Sequence, residues 1–462
     1  MKFVAEAVGA EIAAGAPDGL VADVCTDSRR AKAGDLFFAI KGEKFDGHDF
    51  IVEVAEKKVA AVVVEKSWAK LARCADRVSQ PLVSVLAVDD VRIALGQLAA
   101  AYRRQFNLPV IGIGGSNGKT TVKELIAAVL RQKFSTLWSE ASFNNDVGVP
   151  MTLLRLESSH QAAVVEVGTN HPGELAPLVR MARPKFGVIT NIGREHLEFF
   201  GDLAGVAQEE GALAELLPAD GKLFINGDGE WAEKIAARTP AKVVRIGLGE
   251  KNDWRAKGVR LDKNGVTFQV AAPKAEYAGE YRINLLGRHQ VANALLAISI
   301  GAELGASRPE IEHGLIECQP AKMRLNFWEA GGVRVLDDSY NANADSTIAA
   351  LETLRDLPLQ GRRVAVLGDM AELGAHSAAA HEEIGRRAAE LKLNQLFAVG
   401  QMAAVTAQAA RAAGLARVFE FADVEGAVMA VKNFLKPGDV VLLKASRSAR
   451  LERIAEALKT EK

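Results

Sequence analysis

Cysteine is scarce. Cys25, Cys74 and Cys318 are spread over 462 positions, odd in number and in no metal-ligand spacing. That excludes a disulfide framework and a cysteine zinc site, and leaves ordinary buried thiols in a reducing compartment. An excess of one charge is missing too: 57 Lys plus Arg face 58 Asp plus Glu with no basic block. The electrostatic footprint of a nucleic-acid binder is therefore absent, and no nucleic-acid partner is expected. No stretch reaches the roughly 18 uncharged apolar residues of a bilayer-crossing helix. The opening "MKFVAEAVGAEIAAGAPDG" is broken by acids and has no apolar core; the expectation is a cytoplasmic protein without membrane insertion. There is no fixed-period repeat and no low-complexity tail.

What the chain does have is alternation. Short apolar, β-branched runs recur between alanine-rich helical patterns: "AAVVVE" (60–65), "PVIGIGG" (109–115), "AAVVEVG" (162–168), "FGVITNIG" (186–193), "RRVAVLGDM" (362–370), "QLFAVG" (395–400) and "DVVLLKAS" (439–446). This is the signature of an α/β protein whose parallel sheets are covered by helices. A chain of this length exceeds one hydrophobic core, and three domains are expected. "ADRVSQPLVSVLAVDD" (75–90) reads as the exit from an N-terminal module, and "ECQPAKMRLNFWEAGGVRVLDDSY" (317–340) as a Pro-containing linker into a new strand. The boundaries are set at 1–85, 86–320 and 321–462. Between about 254 and 285, alternation with turn signals predicts an antiparallel patch on the central unit.

"PVIGIGG" runs into "SNGKTTVKELIAAVLRQKF", where Val122, Leu125, Ile126, Val129 and Leu130 keep helical spacing. Strand, glycine-rich turn and helix form the setting of a phosphate-binding loop. The backbone N–H groups of Gly115, Ser116, Asn117 and Gly118 face an anion, Lys119 reaches the β and γ phosphates of ATP, and Thr120, followed by Thr121, offers a hydroxyl to Mg²⁺. The strict pattern fails at one point, since Ile113 stands where its first glycine belongs. Glu166 closes an apolar strand and has two readings, a second metal ligand or a strand-end acid reaching solvent. His196 follows "VITNIG" at the end of another strand, where open α/β sheets bind ligands; structural and ligand roles are both open on spacing alone. So are the roles of Glu209 and Glu210, which surface helices commonly carry. No Ser-His-Asp or Cys-His arrangement suggests a protein nucleophile.

Taken in order, "TDSRRAKAGDLFFAIKGEKFDGHDFI" (26–51), "GGSNGKTTVKE", "SFNNDVGVPMTLL", "EVGTN", "NIGREHLE", "GRHQVANALLA", "KMRLNF", "DDSYNAN", "GDMAELG" and "LLKASRS" resemble the Mur ligases of peptidoglycan synthesis over essentially the whole chain. Within them the pattern is that of the MurF type, which joins D-alanyl-D-alanine to a UDP-N-acetylmuramoyl tripeptide. The resemblance implies a UDP-binding N-terminal module, a central P-loop ATPase domain and a C-terminal Rossmann-like domain that brings in the amino substrate. It implies a monomer that uses ATP and Mg²⁺. It also implies the reaction: ATP phosphorylates the tripeptide's terminal carboxylate, the dipeptide amine attacks the acyl phosphate, and phosphate leaves.

Carried over position by position, the resemblance puts Lys119 on the phosphates, Thr120 and Glu166 on one Mg²⁺, and His196 on a second. Asn293 would lie by the adenine, with Arg324 and Asp338 closing over the nucleotide; their plainer reading is an interdomain salt bridge. Ser28 and Arg29 suit a diphosphate-sugar site, and Asp46 and His48 either form the uridine pocket or stabilise a loop. Asn144 and Asn145 are assigned to the muramoyl peptide or γ-phosphate region, and Tyr340, Asn341, Asn343 and Lys444 to the dipeptide. The absence of an Asp-Asn-Pro-Arg motif disfavours the diaminopimelate-adding MurE type, and "FDGHDF" disfavours folylpolyglutamate synthase.

Three positions leave the pattern: Gln290 for asparagine, Ala344 for proline, and Glu210 for a lysine that the family carbamylates. A glutamate keeps the negative charge and hard oxygens on a shorter stem, so Glu210 is expected to replace the carbamate and free the enzyme from bicarbonate. Competing readings are a MurE-like or peptide-recycling ligase, and a catalytically inactive, ligase-like sensor of nucleotide or UDP-muramoyl peptide.

Overall fold

The structure is a computed structural model and describes residues 1–15, 19–74 and 83–459. The "ADRVSQPL" part of the exit segment (75–82) and the side chain of Cys74 lie outside the described residues. The chain divides into two compact units: Met1–Leu108 with Ser142–His160 and Pro177–Arg183, and Pro109–Ala141 with Gln161–Ala176 and Pro184–Lys462.

The first unit is built on a five-stranded sheet in the order Glu11–Ala14, Ser84–Val88, Ala61–Glu65, Leu36–Phe38, Val24–Cys25. All pairings are parallel except that of the first strand. The strand Ser84–Val88 belongs to this sheet, and the helix Val91–Arg103 buries Val91, Ala94, Leu95 and Leu98 against its apolar face. The N-terminal unit therefore continues through Leu108, not to 85. The apolar stripe of that helix belongs to the core of the sheet that precedes it.

The second unit holds two sheets. The nine-stranded one runs Gly279–Ile283, Gly265–Ala271, Trp254–Asp262, Lys242–Gly247, Lys222–Asn226, Phe186–Ile189, Val110–Gly114, Ala162–Glu166, Thr136–Trp138. Its first three strands form the expected antiparallel patch, and the rest are parallel. Val110–Gly114 is buried along its whole length, as a strand covered on both faces must be. Its neighbours are Ala162–Glu166, with Ile113 level with Glu166, and Phe186–Ile189, with Gly114 level with Ile189. The chain leaves this strand toward both sides of the sheet, which makes its carboxyl end the crevice where such sheets take ligands. The helices Lys119–Leu130, Gln290–Glu303 and Arg308–Glu317 close one face over a core containing Val122, Leu125, Ile126, Leu295 and Ile311.

The six-stranded sheet runs Asn326–Ala330, Val333–Asp338, Val440–Lys444, Arg363–Gly368, Gln395–Val399, Val418–Phe421. Only the first pair, joined through Gly331 and Gly332, is antiparallel. Asp338 lies level with Lys444, and Lys444 with Leu367. Thus "DDSYNAN", "LLKASRS" and "GDMAELG" leave neighbouring strands at one edge.

Candidate active site

The loop Gly115–Gly118 leads into a helix N-terminus, and both of its ends need glycine. Gly115 has φ +104, and a side chain there would strike Thr190; Gly118 has φ +85 and abuts Asn293 Oδ1. Asn293 is buried on the helix Gln290–Glu303 and donates to Gln290 Oε1 at 2.8 Å. The polar partner at position 290 thus remains useful although it is not asparagine. The Asn117 N–H donates to Asn191 Oδ1 (3.1 Å), Asn191 Nδ2 donates to the Asn117 carbonyl (2.8 Å), and the Gly193 N–H donates to Ser116 Oγ (2.9 Å). The loop is therefore fixed to the segment that follows Phe186–Ile189. Thr121 follows in the helix, half-buried.

Lys119 sits among acids. Its Nζ is 3.2 Å from Glu195 Oε2 and 4.0 Å from Glu210 Oε1. Burial disfavours its charge, but Glu195, Glu210 and Glu166 outweigh that and hold the ammonium above its ordinary pKa. The Thr120 hydroxyl donates to Glu166 Oε1 at 3.2 Å, and Glu166 is 1% exposed. Glu210 is equally buried at the end of the helix Leu203–Glu210 and accepts the Gly115 N–H at 2.6 Å. Desolvation pushes its pKa up to about 7; Lys119 opposes this shift and Glu195 adds to it. Glu209 is structural: its carboxylate accepts the N–H groups of Gly173 and Leu175, each at 2.8 Å.

His196 opens the short turn Leu197–Phe200 with φ +48. Its Nδ1 lies 2.5 Å from Glu372 Oε2, and the ring is largely buried. His196 tops the loop whose preceding residue, Glu195, contacts Lys119. Two members of this constellation, Glu195 and Glu372, are absent from the sequence expectations. Each stands in a quoted motif, "NIGREHLE" or "GDMAELG", but its partner is distant in sequence, so only the fold reveals the role.

The remaining expected residues divide. Asn343 caps the helix Ala344–Asp356 and donates from Nδ2 to Asn117 Oδ1 at 2.9 Å, linking the six-stranded sheet's first helix to the phosphate loop. Asp338 pairs with Lys444 at 2.6 Å; Lys444 also donates to the Asn341 carbonyl at 2.9 Å and is 4% exposed. Lys444 is thus committed to holding the ends of two strands, and contact with the dipeptide would require it to leave both partners. The Arg324 guanidinium lies 4.4 Å from the Tyr340 ring centre.

In the first unit, Asn145 Oδ1 accepts the Val147 and Gly148 N–H groups and starts the helix Gly148–Leu153, while Asn144 is half-buried beside it. His48 Nδ1 is 2.6 Å from Asp46 Oδ1, and its Nε2 accepts the Glu65 N–H. Both ring nitrogens are used, so Asp46 and His48 stabilise a loop. That loop carries Lys44 and Phe45 to the rim of an open surface cavity of about 480 Å³ lined also by Thr26, Ile40, Glu43 and Arg92. Ser28 is buried and Arg29 is exposed, paired with Asp27; neither is among the residues lining the cavity.

Three family models match in chain order: "Mur ligase family, catalytic domain" at 21–103, "Mur ligase middle domain" at 113–301 and "Mur ligase, glutamate ligase domain" at 323–447. The UDP-N-acetylmuramoyl-tripeptide--D-alanyl-D-alanine ligase of Escherichia coli is 37% identical over 446 residues, 94% of this chain and 93% of that protein. The chain belongs to the Mur ligase family. Among solved structures, MurF from Acinetobacter baumannii superposes on this Mur ligase with a TM-score of 0.89 at 32% identity, covering 100% of this chain and 98% of that one. MurF ligase from Thermotoga maritima in complex with ADP gives 0.80 at 26% identity, with 96% and 98% covered. Mur ligases form amide bonds at the expense of ATP, and in this member the loop at Gly115–Thr120 has the geometry of a nucleotide site.

Proposed function

We propose that this chain adds D-alanyl-D-alanine to UDP-N-acetylmuramoyl tripeptide, with ATP converted to ADP and phosphate, in cytoplasmic peptidoglycan precursor synthesis. The observation that carries the reading is the full-length likeness to ligases bearing that name. The site chemistry agrees with it. A carboxylate is a poor electrophile, and phosphorylation supplies its leaving group, so the protein's task is positioning and charge neutralisation. Lys119 and the N–H groups of Gly115–Gly118 hold the β and γ phosphates. Asn293 and Arg324 border the nucleotide, with Asp338 fixed by Lys444, and Tyr340, Asn341 and Asn343 face the dipeptide. The tripeptide carboxylate attacks the γ-phosphorus, ADP leaves, the dipeptide amine adds to the acyl carbon, and the tetrahedral adduct expels phosphate. The cavity beside Lys44 and Arg92 takes the UDP-sugar, with Ser28, Arg29, Asp46 and His48 shaping its surroundings.

Mg²⁺ fits this site. Buried Glu195 Oε1 and Glu210 Oε1 accept no hydrogen bond, Thr120 and Glu166 are paired oxygens, and His196 offers Nε2. Among the described residues no group of three or more His, Cys, Asp or Glu could hold a metal ion unaided, so phosphate oxygens and water would have to complete the coordination. Thr120 and Glu166 would hold one ion and His196 a second. Bound there, Mg²⁺ supplies neutralisation of phosphate charge. Glu210 takes the place of the carbamylated lysine of other members, its carboxylate facing Lys119 at 4.0 Å and accepting the Gly115 N–H, and it carries the negative charge there once ionised.

ADP release measured over a panel of UDP-muramoyl peptides and amino acceptors, with and without bicarbonate, tests the reading. Turnover should require both tripeptide and D-alanyl-D-alanine and be indifferent to bicarbonate. Turnover on a dipeptide with diaminopimelate, or on UDP-muramic acid alone, would replace it with the MurE-like or recycling reading, and no turnover on any pair with the sensor.

A further inference from the structure

His196 and Glu372 meet at 2.5 Å from opposite sheets: His196 follows the strand Phe186–Ile189 of the nine-stranded sheet, and Glu372 follows Arg363–Gly368 of the six-stranded one. Both have left-handed backbones, φ +48 and +61. Such a conformation costs a non-glycine residue on the order of 1–3 kcal/mol and persists only where surroundings impose it. Here they do. The Glu198 N–H donates to the Glu372 carbonyl at 3.1 Å, and His376 Nε2 lies 2.9 Å from the Gly201 carbonyl. Gly374, φ +52, brings its backbone to a point where a side chain would lie 3.1 Å from Glu198 Cα. Leu197, Phe200, Met370 and Leu373 share one apolar cluster beneath the two turns. Two strained turns are thus braced against each other around a single imidazole–carboxylate contact.

A carboxylate on one ring nitrogen of histidine fixes the proton there, orients the ring and raises the basicity of the other nitrogen. With Nδ1 in contact with the Glu372 carboxylate, Nε2 is the ring nitrogen whose lone pair can meet a cation. We propose that Glu372 is a positioning residue that aims His196 Nε2 at the second cation. Because Glu372 belongs to the C-terminal sheet, cation affinity at that point depends on the docking of the domain that carries the amino substrate. The cation site is completed from two sheets, and premature phosphoryl transfer with that domain away is disfavoured. The inference rests on His196 being a cation ligand.

The test uses full-length enzyme with Mn²⁺, a non-hydrolysable β,γ-imido ATP analogue and UDP-N-acetylmuramoyl tripeptide. Mn²⁺ affinity is titrated, and imidazole ¹⁴N coupling to the bound ion is read by pulsed electron paramagnetic resonance. Wild type should show the coupling and His196→Ala should lose it. Glu372→Ala should weaken the same site by about 10- to 100-fold with reduced coupling. Glu372→Gln, which keeps the shape and an acceptor oxygen, should weaken it by a smaller factor, and it carries the test if the alanine variant does not fold. Wild-type Mn²⁺ affinity and ¹⁴N coupling in folded Glu372 variants overturn the inference while leaving His196 as ligand. Absence of ¹⁴N coupling in wild type removes His196 from the cation, and the inference with it.

Discussion

Lys119 is surrounded by three acids whose negative charge exceeds its own. At the residue scale this makes Glu195 more than a neighbour: its carboxylate is the nearest to the ammonium, at 3.2 Å, and is almost fully buried. Glu195→Gln should lower kcat by about 10-fold or more, a loss of roughly 1.4 kcal/mol per decade, with a smaller change in KM for UDP-muramoyl tripeptide. Steady-state kinetics would show it, and unchanged kcat would return Glu195 to a structural role. Glu210 makes a pH-dependent prediction. Its folded pKa, about 7, stands above the ordinary 4.5, so the folded state holds a proton the unfolded chain has released between those values. Its contribution to stability is full below about 4.5 and is lost as pH rises through 7. Glu210→Gln should therefore raise the melting temperature of the ligand-free protein at pH 8 relative to wild type, with little effect at pH 4.5, while abolishing most ligase turnover. A variant less stable than wild type at pH 8 would contradict the sign.

At the scale of elements, the phosphate loop was the most legible part of the chain. Its signal is local: an apolar strand, a glycine turn and a helix whose apolar positions repeat within twelve residues, Lys119–Leu130. The pairings Lys119–Glu195, His196–Glu372 and Lys444–Asp338 were not legible, because each joins segments at least 76 residues apart. The motif containing Glu195 and the one containing Glu372 could be quoted, but no periodicity says which side chain turns inward. The boundary near 85 was misplaced for a similar reason: the stripe on Val91–Arg103 marks a core face without saying whose core. The helix that begins at Lys119 is seated by close helix contact. A side-chain carbon at Gly314 would lie 2.5 Å from Val129 Cα and 2.7 Å from the Ala128 carbonyl, backbone atoms that cannot swing away. Gly314→Ala should destabilise the central core by about 1–3 kcal/mol, lowering the denaturant midpoint and loosening ATP binding together. A midpoint equal to wild type would show that the helices separate at no cost.

At the scale of the whole molecule, the phosphate loop and the C-terminal sheet are mechanically joined. Arg194 donates to Asp345 at 2.6 and 2.8 Å and to Glu383 at 2.5 Å, while Asn343 reaches Asn117. Arg194 lies between Gly193 of the phosphate-loop anchor and Glu195 of the lysine cluster, so the same short segment binds the phosphate loop and the helices of the C-terminal sheet. A partly buried arginine shared between two carboxylates, forked onto both oxygens of Glu383, is a geometry in which truncation is costly. Arg194→Ala should raise KM for D-alanyl-D-alanine by about 10-fold, corresponding to about 1.4 kcal/mol, and leave ATP affinity within a factor of about 3. Kinetics with each substrate varied in turn separate the two. An equal loss for both would mean that Arg194 supports the loop alone.

The central claim is that the tripeptide carboxylate is activated by ATP and captured by D-alanyl-D-alanine. The most direct measurement supplies UDP-N-acetylmuramoyl tripeptide with ¹⁸O in both oxygens of its terminal carboxylate, together with ATP and D-alanyl-D-alanine, and follows the label by mass spectrometry. The account predicts a UDP-muramoyl pentapeptide retaining one ¹⁸O in the new amide and the other ¹⁸O in the released inorganic phosphate. Absence of the pentapeptide, or a pentapeptide formed with unlabelled phosphate, would contradict it.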